Sequence, residues 1–411
     1  MSQLSLKDRL GRLRGSPPAG ATAPTAPAPS LAARLQRLTL GRARVETHSR
    51  SGGAALVEAL GAVEVAPGVL RLERQFGARE RHGQVALGPD GCASALAALD
   101  HGGPAPRVLE PLSGASLGRE LLCLDTETSG LAGGTGTWAF VCGFLRGHAK
   151  GWTLRQYLLT RLDAEPAYLD AIAAELQPRA LLISYNGRAF DIPLLTTRFR
   201  LAGLRDPFPD VPHLDLLQPV RRAYGRVWAD CRLASVEQRL LGFVRQDDLP
   251  GAAAPAAWLD WLREGAVAPL AGVMRHNRWD LLSLAALLPR LGAVFADPLA
   301  HAADIRAIAA YHQSRGRTEQ ALDLLQSGRR RLTHAGLLEL ARLHRRRGDW
   351  EQARAIWEEL DAADDATART ELAKYHEHRT RDLARALALA RRLPPGPERD
   401  RRCARLGAKT R

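Results

Sequence analysis

The 411-residue sequence predicts an α/β domain, a mixed sheet flanked by helices, followed by a C-terminal all-α region of helical hairpins. Leu121–Leu124 is a continuous apolar run ending in Asp125, the pattern of a strand buried on both faces. Trp138–Leu145 and Trp152–Leu159 follow as two more strands, the latter alternating, so three strands arrive in series as a meander. Farther on, Tyr311-His-Gln-Ser-Arg-Gly316 recurs as Leu343-His-Arg-Arg-Arg-Gly348 and as Tyr375-His-Glu-His-Arg-Thr380, 32 residues apart both times. That period is one helical hairpin.

Helical spacing over Ala164–Leu176, a buried strand at Ala180–Ser184, and helices over Asp191–Ala202, Leu214–Tyr224, Leu233–Leu241, Trp258–Glu264 and Leu270–Leu291 complete the order βββαβα and a helical tail. Upstream, Val69–Phe76 alternates in strand fashion and leads into a hairpin through His82 and Gly83, where His82 reads as a surface or turn residue. Residues 15–30, rich in Pro and Ala without periodicity, read as a disordered linker ahead of a short amphipathic piece, Leu31–Leu40. The expected organisation is a disordered basic segment over 1–50, a small module over 51–118, the α/β domain over 119–293 and helical repeats over 298–411. The third repeat lacks the turn glycine and slips by one residue at Ala386, as a terminal repeat does.

Apolar residues at 45% and charged residues at 25% exclude a wholly disordered, collagenous or disulfide-framework chain. No unbroken apolar run approaches the roughly 18 residues of a bilayer span, and Met1–Arg14 is basic and polar with no apolar segment behind it, so neither a membrane span nor a signal peptide is expected. Five scattered cysteines (Cys92, Cys123, Cys142, Cys231, Cys403) without a CxxC pair fit idle thiols in a reducing cytoplasm. The net charge of +14 is uneven: residues 1–50 carry nine positive and two negative side chains, 301–411 carry 24 and 16, and 51–300 carry 25 and 26. Attraction to a phosphate backbone is therefore expected of the flanks, with solvated basic helix faces an equal reading of the same charge.

Three segments of the near-neutral centre place acids where apolar structure would otherwise continue. In Asp125-Thr-Glu127-Thr-Ser-Gly130 the period of two turns Asp125 and Glu127 to one side of a strand end. In Tyr185-Asn186-Gly187-Arg-Ala-Phe190-Asp191 a buried strand passes through a glycine turn and delivers Asp191 at a helix start. In His276-Asn277-Arg-Trp-Asp280 the i,i+4 relation stacks His276 and Asp280 on one helix face, leaving Asn277 facing away. Four carboxylates converging from separate elements repel one another unless cations sit between them, and Mg²⁺ or Mn²⁺ suits an all-oxygen set. Two such ions are suited to phosphodiester hydrolysis. Read singly, Asp191 is a helix cap, Asp125 a loop acid and His276 a core residue; all five in this order point to a site.

The run from about Glu120 to Leu291, with its strings DTETSGLAGGTGTWAF, YNGRAFDIPLLTTRF, HLDLLQPVRR, RLASVEQRLLG, RQDDLPG and HNRWDLLSL, resembles the DEDD superfamily of ribonuclease H-like 3′–5′ exonucleases. Within it the run looks like the YprB-type domain of bacteria, and the C-terminal repeats resemble tetratricopeptide repeats. The resemblance implies a ribonuclease H-like mixed sheet, Asp125, Glu127, Asp191 and Asp280 as metal ligands, and His276 near the attacking water. The spacing departs in one place. Histidine-type members hold the histidine five residues before the last aspartate, whereas His276 precedes Asp280 by four, and one residue turns a helical side chain by roughly 100°.

The function expected is thus a metal-dependent 3′–5′ exonuclease on single-stranded DNA or RNA ends. The alternative is a nucleic-acid-binding or scaffold protein with a weakly active or inactive core and repeats that recruit a protein partner. Substrate contacts are expected at Thr128, at Gly134 in the stretch Gly133-Gly-Thr-Gly-Thr137, and at Asn186, although turn chemistry explains the last two equally. Asp215 reads as a helix acid paired with Arg221 or Arg222, and Asp247 and Asp248 as loop acids.

Overall fold

The structure, a computed structural model, describes residues 53–88, 91–99, 121–130, 136–176 and 180–410. The expectations for 1–50, for Leu31–Leu40 and for Gly134 lie outside the described residues.

The meander is present as β5 (Leu121–Thr128), β6 (Ala139–His148) and β7 (Gly151–Leu159), paired antiparallel in order. On one side, β8 (Leu181–Ser184) adds parallel to β5 and β9 (His213–Asp215) parallel to β8. On the other, β2 (Val69–Gly77) runs antiparallel to β7 from Val69↔Leu159 to Gly77↔Gly151, and β1 (Val63–Ala66) closes the edge. The result is a mixed seven-stranded sheet in the order β1-β2-β7-β6-β5-β8-β9, a ribonuclease H-like arrangement with the C-terminal helical region behind it. The β3–β4 hairpin (Arg81–His82, Val85–Ala86) turns at Gly83, whose φ of +60° and approach to the Leu241 carbonyl exclude a side chain.

The all-apolar start of β5 is explained by its two faces. Leu122 and Leu124 join one core with Ile172, Phe199 and Trp258. Leu121 and Cys123 join the other with Leu145, Leu281 and Leu288. That second core belongs to the central helix Val267–Ala296. Its best 18-residue window has a mean hydropathy of 1.4, enough by length and composition to cross a bilayer, but 67% of that window is buried inside the protein. It is a core helix.

Two sequence expectations are corrected here. Leu214–Tyr224 is not one helix: His213–Asp215 pairs with β8, because the apolar stretch completes the buried sheet, and the helix begins at Leu217. His82 is not at the surface. It is 4% exposed, with Nε2 2.7 Å from Ser283 Oγ and its ring 4.0 Å from that of Phe243.

The helical hairpins follow the 32-residue period: Ile305–Ser314 with Thr318–Ser327, His334–Arg347 with Trp350–Ala362, and Ala366–Tyr375 with Leu383–Arg391. Gly316 (φ +72°) and Gly348 (φ +93°) make the first two turns. In the third a π-helical turn, His376–Thr380, inserts one residue, so the left-handed position falls on Arg381 (φ +58°) instead of Thr380. This accounts for the one-residue slip at Ala386.

Gly143 faces Asp125 across β5 and β6, and a Cβ there would lie 2.2 Å from Asn277 Oδ1 and 2.5 Å from Leu281 Cδ1. The central helix therefore rests directly on the sheet where the acids stand. Gly143→Ala is expected to destabilise by about 1–3 kcal/mol through overpacking. Gly136→Ala, with nothing within 4 Å, is expected to be near neutral; equal midpoints in urea denaturation for the two variants would contradict this.

Candidate active site

Past Leu124 the β5 alternation continues, but the buried positions become acids. Asp125 Oδ2 accepts a hydrogen bond of 2.8 Å from Asn277 Nδ2, which also donates to the Asp125 carbonyl at 3.1 Å. Asn277 is fully buried and is held in turn by Gln156, whose Nε2 donates to Asn277 Oδ1 and to the Met274 carbonyl, each at 2.8 Å. Asn277 thus turns away from Asp280, as the spacing implies, but toward Asp125. Asp191 reaches the same strand: its Oδ1 accepts from the Thr126 backbone N–H at 3.1 Å and the Thr126 hydroxyl at 2.5 Å. The turn before it fits only glycine at 187, where a Cβ would stand 2.5 Å from Ser184 Oγ and 3.1 Å from Asp191 Oδ2.

The four acids feel one another. Burial pushes the Asp125 carboxyl well above the usual range, and the charges of Asp280, Asp191 and Glu127 push it further, against the Asn277 hydrogen bond. Burial likewise raises Glu127, with Asp280 and Asp191 adding, and raises Asp191 to about 6 against its hydrogen bonds from Thr126. Burial also raises Asp280, with Arg245 and His276 opposing. Glu127 Oε1 is buried without a hydrogen-bond partner, and an anionic oxygen left so is costly unless a cation faces it.

Around Asp280 the structure shows a cation that the sequence motifs do not announce. Arg245, from the RQDDLPG loop, grips Glu237 through Nε (2.8 Å) and Nη2 (2.7 Å) and also ion-pairs with Asp280. Its Nη1 meets Asp248 Oδ2 at 3.2 Å and lies 3.2 Å from His276 Nδ1. Burial works against the Arg245 charge, but its hydrogen bond to Glu237 and the charge of Asp280 outweigh that and hold its pKa above the ordinary value. Glu237 is completed by Ser283, whose hydroxyl donates to Oε1 at 2.5 Å and accepts from His82. His276 Nδ1 sits 2.9 Å from both Asp248 oxygens, and its Nε2 is 3.7 Å from Asp280 Oδ2. Asp248 thus orients the imidazole so that Nε2 faces the acids.

The weaker expectations divide. Thr128 Oγ1 donates to the Gly130 carbonyl at 3.0 Å, a turn bond. Asn186 has φ +67° and its backbone N–H donates to Asp215 at 2.7 Å, also a turn role. Asp215 is no helix acid paired with arginine. It is buried at the end of β9 and accepts from the backbone N–H groups of Asn186, Arg188 and Leu217, bracing the loop that carries Asp191.

Sequence reading missed Asn277 as a partner of Asp125, and it missed Gln156, Glu237, Arg245 and Ser283. Two had a signal. Asn277 interrupts the apolar stripe Leu270, Met274, Leu281, Leu284, Leu288, and Gln156 interrupts the alternation Trp152, Leu154, Leu158.

For a divalent ion, the donor set is right in kind: four carboxylates, Glu127 buried and the others half-buried, pKa values raised by desolvation and then by neighbouring acids, and one orphaned oxygen. Among the described residues, no group of three or more His, Cys, Asp or Glu side chains is gathered closely enough to hold an ion as placed, and Arg245 supplies the positive charge at Asp280. The side chains suit such an ion in chemistry, while in placement Asp280 is taken up by Arg245.

Residues 122–291 match the family model for the ribonuclease H superfamily (RNase_H_2). The chain is 32% identical over 288 residues to "Uncharacterized protein YprB" of Bacillus subtilis (strain 168), an alignment covering 66% of this chain and 68% of that one.

Two stability measurements test this network. Arg245→Met strands Glu237 and Asp280 as buried uncompensated charges, so in metal-free buffer it is expected to cost about 3–5 kcal/mol; a urea midpoint equal to the parent's would refute that. Burial lowers the His82 pKa from 6.5 to about 4, so its contribution is fully present above pH 6.5 and is lost as pH falls toward 4. Relative to His82→Phe, the parent is expected to lose roughly 2 kcal/mol between pH 7 and pH 5, read from paired denaturation curves; parallel loss in both would exclude His82.

Proposed function

We propose that this chain, which belongs to the YprB family and carries a ribonuclease H superfamily domain, is a divalent-metal-dependent nuclease that removes nucleotides from single-stranded 3′ ends. The observation that supports it most is the gathering of four carboxylates from three separate segments, Glu127 buried and the other three half-buried, with one oxygen of Glu127 left unpartnered. Asp125, Glu127, Asp191 and Asp280 would hold two Mg²⁺ or Mn²⁺ ions, which when bound lower the pKa of water and neutralise charge on the scissile phosphate.

The chain's own groups set the rest. Asn277 and Gln156 fix the rotamer of Asp125, and Thr126 fixes that of Asp191, so two ligands are preorganised before substrate arrives. His276, with Nδ1 held by Asp248, presents Nε2 to the pocket and takes a proton there from the attacking water. The helical turn that the four-residue spacing imposes is met by the RQDDLPG loop, which brings Asp248 to the ring. Phe190, 59% exposed and adjacent to Asp191, offers a face on which a terminal base stacks.

The Arg245–Asp280 ion pair favours a second reading, a nucleic-acid-binding scaffold whose core has exchanged an ion for arginine. Calorimetric melting decides between them. For the nuclease, millimolar Mn²⁺ raises Tm, an effect lost in Asp125→Asn, because binding to the native state alone stabilises it; an unchanged Tm points to the scaffold. With Mg²⁺, a 5′-labelled single-stranded oligonucleotide is expected to be shortened from its free 3′ end, and Asp125→Ala with Asp280→Ala to lower the rate at least 10³-fold. Cleavage surviving both substitutions would end the nuclease reading.

A further inference from the structure

The charge on the repeats is largely consumed internally. Arg345 pairs with Glu371, Arg347 with Glu319 and Asp349, Arg354 with Glu351 and Glu358, and Arg369 with Asp361 and Asp364. These are ion-paired helix faces, and the region's surplus of positive charge is spread over side chains outside these pairs. A different place keeps part of its charge free. Between the turn after β8, the helix Leu217–Tyr224 with the loop after it, and the first repeat helix lies a cleft of about 980 Å³. Arg221 and Arg232 line it, exposed and, among the described residues, without a carboxylate partner. Arg222 lines it too, its guanidinium 4.0 Å over the Tyr311 ring. Arg226, by contrast, is paired with Asp304 at 2.8 Å. The cleft's acid, Asp230, accepts from the Arg232 backbone N–H at 2.9 Å and also feels the charges of Arg232 and Arg239, so it offsets part of the cleft's positive charge.

We infer that this cleft is the track for the single strand whose end enters the carboxylate pocket; the inference deepens the nuclease reading and rests on it. Continuity comes from one turn. Asn186 lines the cleft, and the next residue, Gly187, lies against Asp191. Chemistry supplies the class of ligand. Two aromatic rings, Tyr185 and Trp228, line the cleft beside the guanidinium groups, Trp228 held in place by stacking on the buried Tyr224 at 3.8 Å and 4°. Bases stack on such faces whatever their identity while arginines neutralise the phosphates. An acidic peptide would match the charge but leave the rings unused. Ala307, from the first repeat helix, closes one wall, so the repeats contribute to the substrate path.

The test is fluorescence anisotropy of the full chain in EDTA, where no hydrolysis occurs, with labelled dT20 and rU20. Arg221→Ala with Arg232→Ala is expected to weaken binding at least tenfold and to flatten the log K against log salt slope by about 1.4, near 0.7 for each phosphate no longer neutralised. The Lys pair at the same positions should keep most of the affinity, which separates lost charge from misfolding, and Arg330→Ala on the repeats should bind as the parent does. Parental affinity and slope in the Ala pair, or displacement of dT20 by polyglutamate as effective as by unlabelled dT20, would overturn the track. Mn²⁺-dependent hydrolysis of bis(p-nitrophenyl) phosphate by the parent protein, run in parallel, reports the chemistry alone. Its absence alongside cleft-dependent binding would sink the nuclease reading and leave the track standing.

Discussion

Like charges buried together are the constraint on which the site depends. Glu127 is buried and Asp125, Asp191 and Asp280 half-buried, where water screens them poorly, and neighbouring acids raise the cost of ionising Asp125 and Glu127. Such an arrangement persists only if the surrounding fold imposes it. Here the imposition is packing: β5 is fixed by apolar cores on both faces, the central helix touches β6 so closely that only glycine fits at 143, and the Asp191 loop is braced by Asp215. Stability of the scaffold offsets local electrostatic strain.

Arg245 shows how the cluster is managed from within. A single guanidinium spans Glu237, Asp280 and Asp248, and a chain of hydrogen bonds runs from it through Glu237 and Ser283 to His82 in the β3–β4 hairpin. The hairpin also meets the π-helical turn after Leu233, through the Gln84 N–H and the Leu241 carbonyl at 2.6 Å. Remote sequence therefore sets the position of the one cation that, among the described residues, pairs with the acids. A positive group at Asp280 lowers the repulsion that a metal-free cluster suffers, at Glu127 as well as at Asp280.

How much of this was legible in sequence follows from the range of each interaction. The strands of the meander, the Asp191 helix and the repeat period rest on local patterning, and they stand where the spacing puts them. His213–Asp215 was misread because three residues next to a helix, with Leu214 alone apolar, carry no period of their own; their strand identity comes from pairing with β8. His82 was misread because its burial is made by Phe243 and Ser283, partners that no local pattern announces. Asp125, Glu127, Asp191 and Asp280 were legible as acids breaking apolar structure. Arg245 and Glu237 were not, since charged residues in a loop and on a short helix are the commonest of surface features. Gly134 lies outside the described residues.

Charge in this protein is informative only after its partners are counted. The sequence concentrates arginine in the C-terminal region, yet there carboxylates three, four or about thirty residues away take most of it up, the last distance being the hairpin period itself. Repetition places an acid on one hairpin opposite a base on the next, so the same periodicity that builds the array also neutralises it. The cleft beside Asn186 lies where the repeat pattern meets the sheet domain, outside that period, and there Asp304 takes up Arg226 and Asp230 faces Arg232, while Arg221 has no carboxylate within ion-pair distance among the described residues. The arginines of the cleft are thus a consequence of the junction.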